Sequence, residues 1–229
     1  WEELKQKVAS VSKVLRKYGV KPGDRVVGYM PNIPETIITF LACASIGAVW
    51  SSCSPDFGAP SVINRFKQIE PTILFAVDGY QYSGKPYNKL SVIRELQNAL
   101  STVRKTIIVP YLNEELDCSE LNQDTVLWND LLNENKEEIE FEQLPFDHPL
   151  WILYSSGTTG LPKPIVHGQG GILLEHLKSL SLQSDLSTKD NFFWFTTTGW
   201  MMWNYLVSGL LVGATITLCD GNPVYPSMN

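Results

Sequence analysis

Short apolar runs alternate along this chain with segments whose apolar residues return every three or four positions. That alternation constrains the fold more than any other feature, because it calls for strands joined by helices. Trp1, Leu4, Val8, Val11 and Leu15 give one helix an apolar face, and Gly19 stops it. "KPGD" (Lys21–Asp24) makes a turn, and "RVVGYM" then reads as a buried strand. Pro34 opens a second helix where proline is tolerated; Ile37, Ile38, Leu41 and Ala44 form its core face, and Gly47 ends it. "AVWSS" is the next strand. Strand, helix and strand in so few residues predict a right-handed βαβ unit.

The pattern continues. Pro60 opens a helix carrying Val62, Ile63, Phe66 and Ile69, followed by the strand "TILFAV" (Thr72–Val77). A helix over Lys89–Thr102 and the strand "TIIVP" (Thr106–Pro110) come next. Residues 111–149 are acidic and less periodic, with short elements at best, and "NENKEEIEFEQ" (Asn133–Gln143) reads as a solvated surface excursion. The strands "PLWILY" (Pro149–Tyr154) and "PIVHG" (Pro164–Gly168) lead to a helix near Ile172–Leu182. "FFWFTT" (Phe192–Thr197), a helix near Trp203–Val212 and "ATITLC" (Ala214–Cys219) complete the chain. The expected fold class is α/β, with mixed, largely parallel sheets flanked by helices and several strands buried on both faces. The chain divides into a βαβ-rich part (1–110), an irregular acidic excursion (111–149) and a last part (150–229).

With 229 residues, 44% of them hydrophobic and 18% charged, the chain can bury a sizeable core as a globular, water-soluble domain. The net charge of −6 argues against nonspecific nucleic-acid binding, and no apolar run approaches membrane-spanning length. Cys43, Cys53, Cys118 and Cys219 form no C-x-x-C pair; three sit in apolar surroundings that suit buried, reduced thiols. With His148, His167 and His176 they offer no zinc-ligand spacing, so no metal site is expected. No secretory signal peptide is seen, and with the unpaired cysteines a reducing, cytosolic compartment is the default expectation. The chain starts at Trp1 inside an amphipathic pattern, which suggests a piece of a longer protein.

One stretch carries chemistry. "YSSGTTGLPKP" (Tyr154–Pro164) leaves a buried strand and enters small, polar residues. In open α/β sheets, ligands sit off the carboxyl ends of the strands. Gly157 and Gly160 let backbone N–H groups approach a ligand, and Ser155, Ser156, Thr158 and Thr159 can donate to anionic oxygens. Each charge-assisted hydrogen bond contributes about 1.5–3 kcal/mol, so a few could hold a triphosphate without a large positive patch. Lys163 adds a positive charge. The loop is no Walker A motif, since its glycines are three apart and Leu161 and Pro162 separate Gly160 from Lys163. "GQGG" (Gly168–Gly171) is no dinucleotide fingerprint, because Leu173 stands where glycine is needed. Composition alone leaves a phosphate grip and an ordinary turn both open.

The full order of residues in "YSSGTTGLPK" resembles the phosphate loop of the adenylate-forming superfamily of acyl-CoA synthetases, luciferases and peptide-synthetase adenylation domains. Pro164 departs from the glycine usual in that family. "TTTGWMMWN" (Thr196–Asn204) is similar to the family segment that forms the carboxylate pocket, where a tryptophan excludes long acids in short-chain members. The bland alternative is that Trp200, Met201, Met202 and Trp203 are only core. "KPGDRVVGYMPN", "ASIGAVWSS", "SSCSPDFG", "FEQLPFDHPLWILYSSGTTGLPKPIVH" and "GWMMWN" extend the resemblance over almost the whole chain, toward the branch that activates acetoacetate.

The resemblance implies part of the large N-terminal domain of an adenylate-forming ligase. Acetoacetate would attack ATP to give an acyl-adenylate and pyrophosphate, and coenzyme A would then displace AMP, with Mg²⁺ assisting. It implies that Ser155, Ser156, Thr158 and Thr159 contact the β- and γ-phosphates, that Gly157 and Gly160 permit close approach, and that Thr158 and Lys163 assist the chemistry. Trp200, Met201 and Met202 would line the acid pocket, with Trp203 a weaker candidate. "DGYQYSGK" (Asp78–Lys85) resembles the region that meets the nucleotide end of coenzyme A, where Lys85 supplies charge, and "SPDFG" (Ser54–Gly58) would flank it. His167, alone, reads as structural. The family's Y-G-x-T-E motif, its ribose-binding Asp and its C-terminal domain do not occur in these residues, so residues 1–229 alone are expected to be inactive. Acetate or propionate as the acid, or a nucleotide-binding module without turnover, stand as alternatives.

Overall fold

A computed structural model describes residues 1–132, 138–156 and 160–227. α1 (Glu2–Lys17) buries Val8, Val11 and Leu15; Glu2 and Glu3 in its first turn and Arg16 and Lys17 in its last complement the helix dipole. Gly19 takes the left-handed conformation (φ 78°) that ends it. β1 (Arg25–Tyr29), α2 (Pro34–Ser45) and β2 (Val49–Cys53) form the expected βαβ unit, with the two strands parallel. Gly28 on β1 faces Trp50 on β2: a Cβ there would lie 2.5 Å from the buried indole, so the missing side chain makes room for the ring.

α3 (Ala59–Phe66) and a 3₁₀ turn (Lys67–Ile69) lead to β3 (Ile73–Val77). An antiparallel hairpin follows, β4 (Gly79–Tyr82) and β5 (Lys85–Asn88), then α4 (Leu90–Ala99), β6 (Lys105–Val109) and β7 (Thr125–Leu127). β8 (Pro149–Ser155) and β9 (Lys163–Gly168) pair antiparallel. Their short connection cannot span the crossover that a parallel pair needs. α5 (Gln169–Lys178) runs into a π turn (Ser179–Gln183), and β10 (Asn191–Phe193), α6 (Met201–Val207), a 3₁₀ turn (Ser208–Val212) and β11 (Thr215–Thr217) follow.

The main sheet has the order β7-β6-β3-β1-β2-β8-β9 and is parallel except at β9. One core layer packs α1, α2, Trp50, Trp151 and Trp203; the other packs Val62, Phe66, Ile93 and Leu96 on the opposite face. β2 and β3 are buried at every position, as a strand covered on both faces must be. β10 and β11 form a separate parallel pair.

Several expectations need correction. The strand expected over Phe192–Thr197 is only Asn191–Phe193, and residues 194–197 leave it as irregular backbone. The helix expected near Ile172 begins at Gln169, where Gly168 in extended conformation is its N-cap. Cys43 and Cys53 are buried, whereas Cys118 and Cys219 are only partly so; all four are free thiols. Within the acidic excursion, residues 133–137 lie outside the described residues. The rest is tethered, not adrift: Glu142 N–H donates to Ser45 O (2.8 Å), Arg16 donates to Glu140 O (3.1 Å), and Ile139 packs against the α1–α2 core layer.

Candidate active site

The parallel strands of the main sheet end at one edge, and the segments of interest gather there. β8 carries the chain from core to solvent in one pass: Leu150, Trp151 and Ile152 are buried, and Ser155 is exposed. Ser155 pairs directly with Lys163, so residues 156–162 connect a hairpin and Lys163 stands opposite the first serine of the loop. Ser156, Gly160 and Lys163 are also exposed, and nothing lies within 4 Å of a Cβ placed on Gly160. Gly157, Thr158 and Thr159 lie outside the described residues. Hydroxyls opposite an exposed ammonium form a donor set for anionic oxygens, not for a bare cation.

The "GWMMWN" segment reaches the same edge. Thr198 Oγ1 donates to Met30 O just beyond β1 (2.6 Å), and Ser52 Oγ of β2 donates to Thr198 O (2.7 Å). A Cβ on Gly199 would lie 3.2 Å from the Phe57 ring. β2 separates β1 from β8, so this segment and the end of β8, with Ser155 and Ser156, lie along the same edge. Its four large side chains divide. Trp203 is fully buried, donates from Nε1 to Asn32 Oδ1 (3.0 Å) and meets Phe40 edge-on at 6.1 Å. Trp200, at the N-cap of α6, is 67% exposed; Met201 is exposed and Met202 half-buried. A small cavity of about 30 Å³ is lined by Asn32, Ser54, Thr196, Thr197 and Asp220.

The hairpin carrying Lys85 is fixed at its root. Asp78 is fully buried, and its carboxylate accepts from the N–H groups of Tyr111 (2.7 Å), Leu112 (2.9 Å) and Asn113 (3.0 Å) and from Asn113 Nδ2 (3.1 Å). Tyr111 donates in turn to Asp220 (3.0 Å). Tyr80 and Tyr87 stack across the strands at 5.2 Å, and Lys89 Nζ lies 5.3 Å from the Tyr80 ring centroid. Burial pulls the Lys89 ammonium down from its ordinary pKa, against the pull of Asp56. Lys85 is exposed at the distal turn.

The histidines are occupied. Trp151 Nε1 donates to His167 Nδ1 (3.0 Å), which anchors a core tryptophan. His176 Nδ1 lies 2.6 Å from Ser208 Oγ, and that hydroxyl donates to Asn204 O (2.9 Å). The imidazole therefore supplies the hydrogen to the serine, and the pair is no activated nucleophile. Burial lowers the His176 pKa. Among the described residues, no three His, Cys, Asp or Glu side chains are grouped to hold a metal ion.

Sequence reasoning missed Asn32 and Thr198, which fix the "GWMMWN" segment, and the tethering role of Asp78. A strand followed by "DG" signals an Asx-type turn, but nothing local announces partners more than thirty residues away.

Residues 1–228 match the family model described as AMP-binding enzyme. The chain is 47% identical to acetoacetyl-CoA synthetase of Gallus gallus, covering all of this chain and 35% of that protein. It is equally identical to acetoacetyl-coenzyme A synthetase of Rhizobium meliloti, with the same coverage. A malonamoyl-CoA synthetase of Penicillium aethiopicum is 39% identical over 98% of this chain and 32% of its own length. The solved acetoacetyl-CoA synthetase of Streptomyces lividans superposes with a TM-score of 0.94 at 55% identity, over 99% of this chain and 34% of that one. The chain thus spans about a third of the length of the relatives it matches.

Proposed function

The chain belongs to the AMP-binding enzyme family, and from that premise we propose that the protein carrying it is an AMP-forming acetoacetate–CoA ligase. The observation that carries this reading is the similarity to acetoacetyl-CoA synthetases along the whole chain, phosphate loop and acid-pocket segment included. A carboxylate oxygen of acetoacetate bonds to the α-phosphorus of ATP while the bond to pyrophosphate breaks. The sulfur of coenzyme A then bonds to the acyl carbon, its proton passes to solvent, and AMP leaves.

In this reading, Ser155, Ser156, Thr158 and Thr159 hold the β- and γ-phosphate oxygens, and Gly157 and Gly160 leave room for them. Lys163, opposite Ser155, offsets charge on the departing pyrophosphate. Mg²⁺ enters with ATP as part of the substrate. Trp200, Met201 and Met202 bound the acid, and Lys85 serves the nucleotide end of coenzyme A. Free thiols throughout suit a cytosolic setting, and among the described residues no helix is long and apolar enough to cross a membrane.

The acyl groups named for two of the relatives, acetoacetyl and malonamoyl, share a second carbonyl beyond the methylene. This favours a short 3-oxo acid over acetate or propionate, since a site that hydrogen-bonds a substrate group rejects the analogue lacking it. The test is acid-dependent ATP–pyrophosphate exchange by the full-length protein. Acetoacetate should outpace butyrate, its counterpart without the 3-carbonyl, by at least about tenfold. Equal rates would refute the acid assignment. Absence of exchange with every acid tried would leave the nucleotide-binding module. Thr158→Ala should lower exchange by about tenfold or more; unchanged exchange would remove Thr158 from the loop's chemistry.

A further inference from the structure

Both shoulders of the phosphate loop are tied to the same turn of chain. At the entry, Tyr154 OH donates to the carbonyl of Arg65, the last residue but one of α3 (2.9 Å). The Arg65 guanidinium lies 5.9 Å from the Tyr154 ring centroid and 5.1 Å from that of Phe57. At the exit, Gln68 Nε2 donates to the carbonyl of Pro162 (2.9 Å) and to Asn64 O in the last turn of α3 (2.6 Å). One amide group thus joins the end of the helix to the end of the loop.

The turn that carries Gln68 is a fixed point. Val62, Phe66 and Ile69 point from it into the core, at 0%, 0% and 8% exposure. Glu70 closes it in the left-handed conformation, and Arg25 donates to the carbonyls of Ile69 (2.6 Å) and Glu70 (3.1 Å). Gln68 itself is exposed, so its side chain spans from a rigid support to the loop without serving the core.

We propose that Gln68 is a positioning residue for ATP: with Tyr154 it sets the spacing between the two ends of the loop, and so where Ser155, Ser156 and Lys163 stand toward the phosphates. This rests on the nucleotide role given to the loop above. Tethering both ends before ATP arrives lowers the ordering cost of binding. The Nε2 group is the operative part, so removing it while keeping the stem should suffice.

The test uses the full-length protein with Gln68→Met and, as a second shape-preserving variant, Gln68→Glu. Backbone amide exchange of a peptide spanning residues 155–162, without nucleotide, should quicken about three- to tenfold in both, the scale of one net hydrogen bond. A peptide from residues 149–154 should be unchanged. In ATP–pyrophosphate exchange, the KM for ATP should rise by a similar factor, with the KM for acetoacetate within about twofold and the melting temperature unmoved. Unaltered amide exchange would overturn the proposal. So would parallel rises in both KM values with a lowered melting temperature, which mark a merely structural residue. If the unsubstituted protein supports no exchange with any acid, the enzyme reading fails, and the amide exchange still decides the brace.

Discussion

Trp200 and Trp203 stand three residues apart in one apolar tetrad, yet one is largely open and the other sealed in the core. The start of the helix separates them: Trp200, the N-cap, has extended backbone (φ −116°, ψ 145°) and stays outside, while Trp203 within α6 packs against Phe40 of α2 and donates to Asn32. The sequence marked all four residues as one motif, and only packing told pocket candidates from core. His176 is a second case in which position decides chemistry. Its burial depresses the pKa, so between the folded value and the ordinary value of about 6.5 the unfolded chain binds more protons. The stability linked to this group is therefore fully present above about pH 6.5 and is lost as pH falls toward the folded value. Denaturant midpoints at pH 7.5 and 5.5 should differ less in His176→Gln, which can still donate to Ser208, than in the unsubstituted protein. An unaltered difference would mean that His176 does not contribute to the acid sensitivity.

At the scale of elements, the strands and helices of the first hundred residues are legible because local and global demands coincide. β2 and β3 are short apolar runs, and α2 begins at a proline and is followed by Gly47 in left-handed conformation. The β4–β5 hairpin escaped that reading. "GYQYSGKPYN" carries strand-forming tyrosines, but Pro86 and the polar composition mask them. Its root depends on a long-range device, the Asp78 carboxylate that gathers the N–H groups of residues 111–113. Asp78→Ala leaves these donors without their acceptor and should cost on the order of 3 kcal/mol. Urea unfolding measures it directly. A loss under about 1 kcal/mol would show that water replaces the carboxylate, and the hairpin would need another anchor.

At the scale of the molecule, the described residues leave open faces. Phe193, Trp194 and Phe195 are each 44–49% exposed around β10, which pairs only with β11, and Ile165 and Val166 are exposed on the edge strand β9. A parallel pair so uncovered is unusual, since parallel sheets are ordinarily buried on both faces. We expect residues 1–229 produced alone to bind a hydrophobic dye, to self-associate and to show no acetoacetate-dependent ATP–pyrophosphate exchange. Exchange by that piece would contradict the reading that the acid and nucleotide sites need more of the protein. The alternation of strand and helix and the family likeness were both in the order of residues, because backbone propensity and sequence pattern are local properties. Only the tertiary structure decided which strand lies beside which, that Lys163 faces Ser155, that Trp203 belongs to the core and that Gln68 reaches the loop. Each depends on contacts between segments far apart in sequence, and the free energy of those contacts is set by packing that no local stretch encodes.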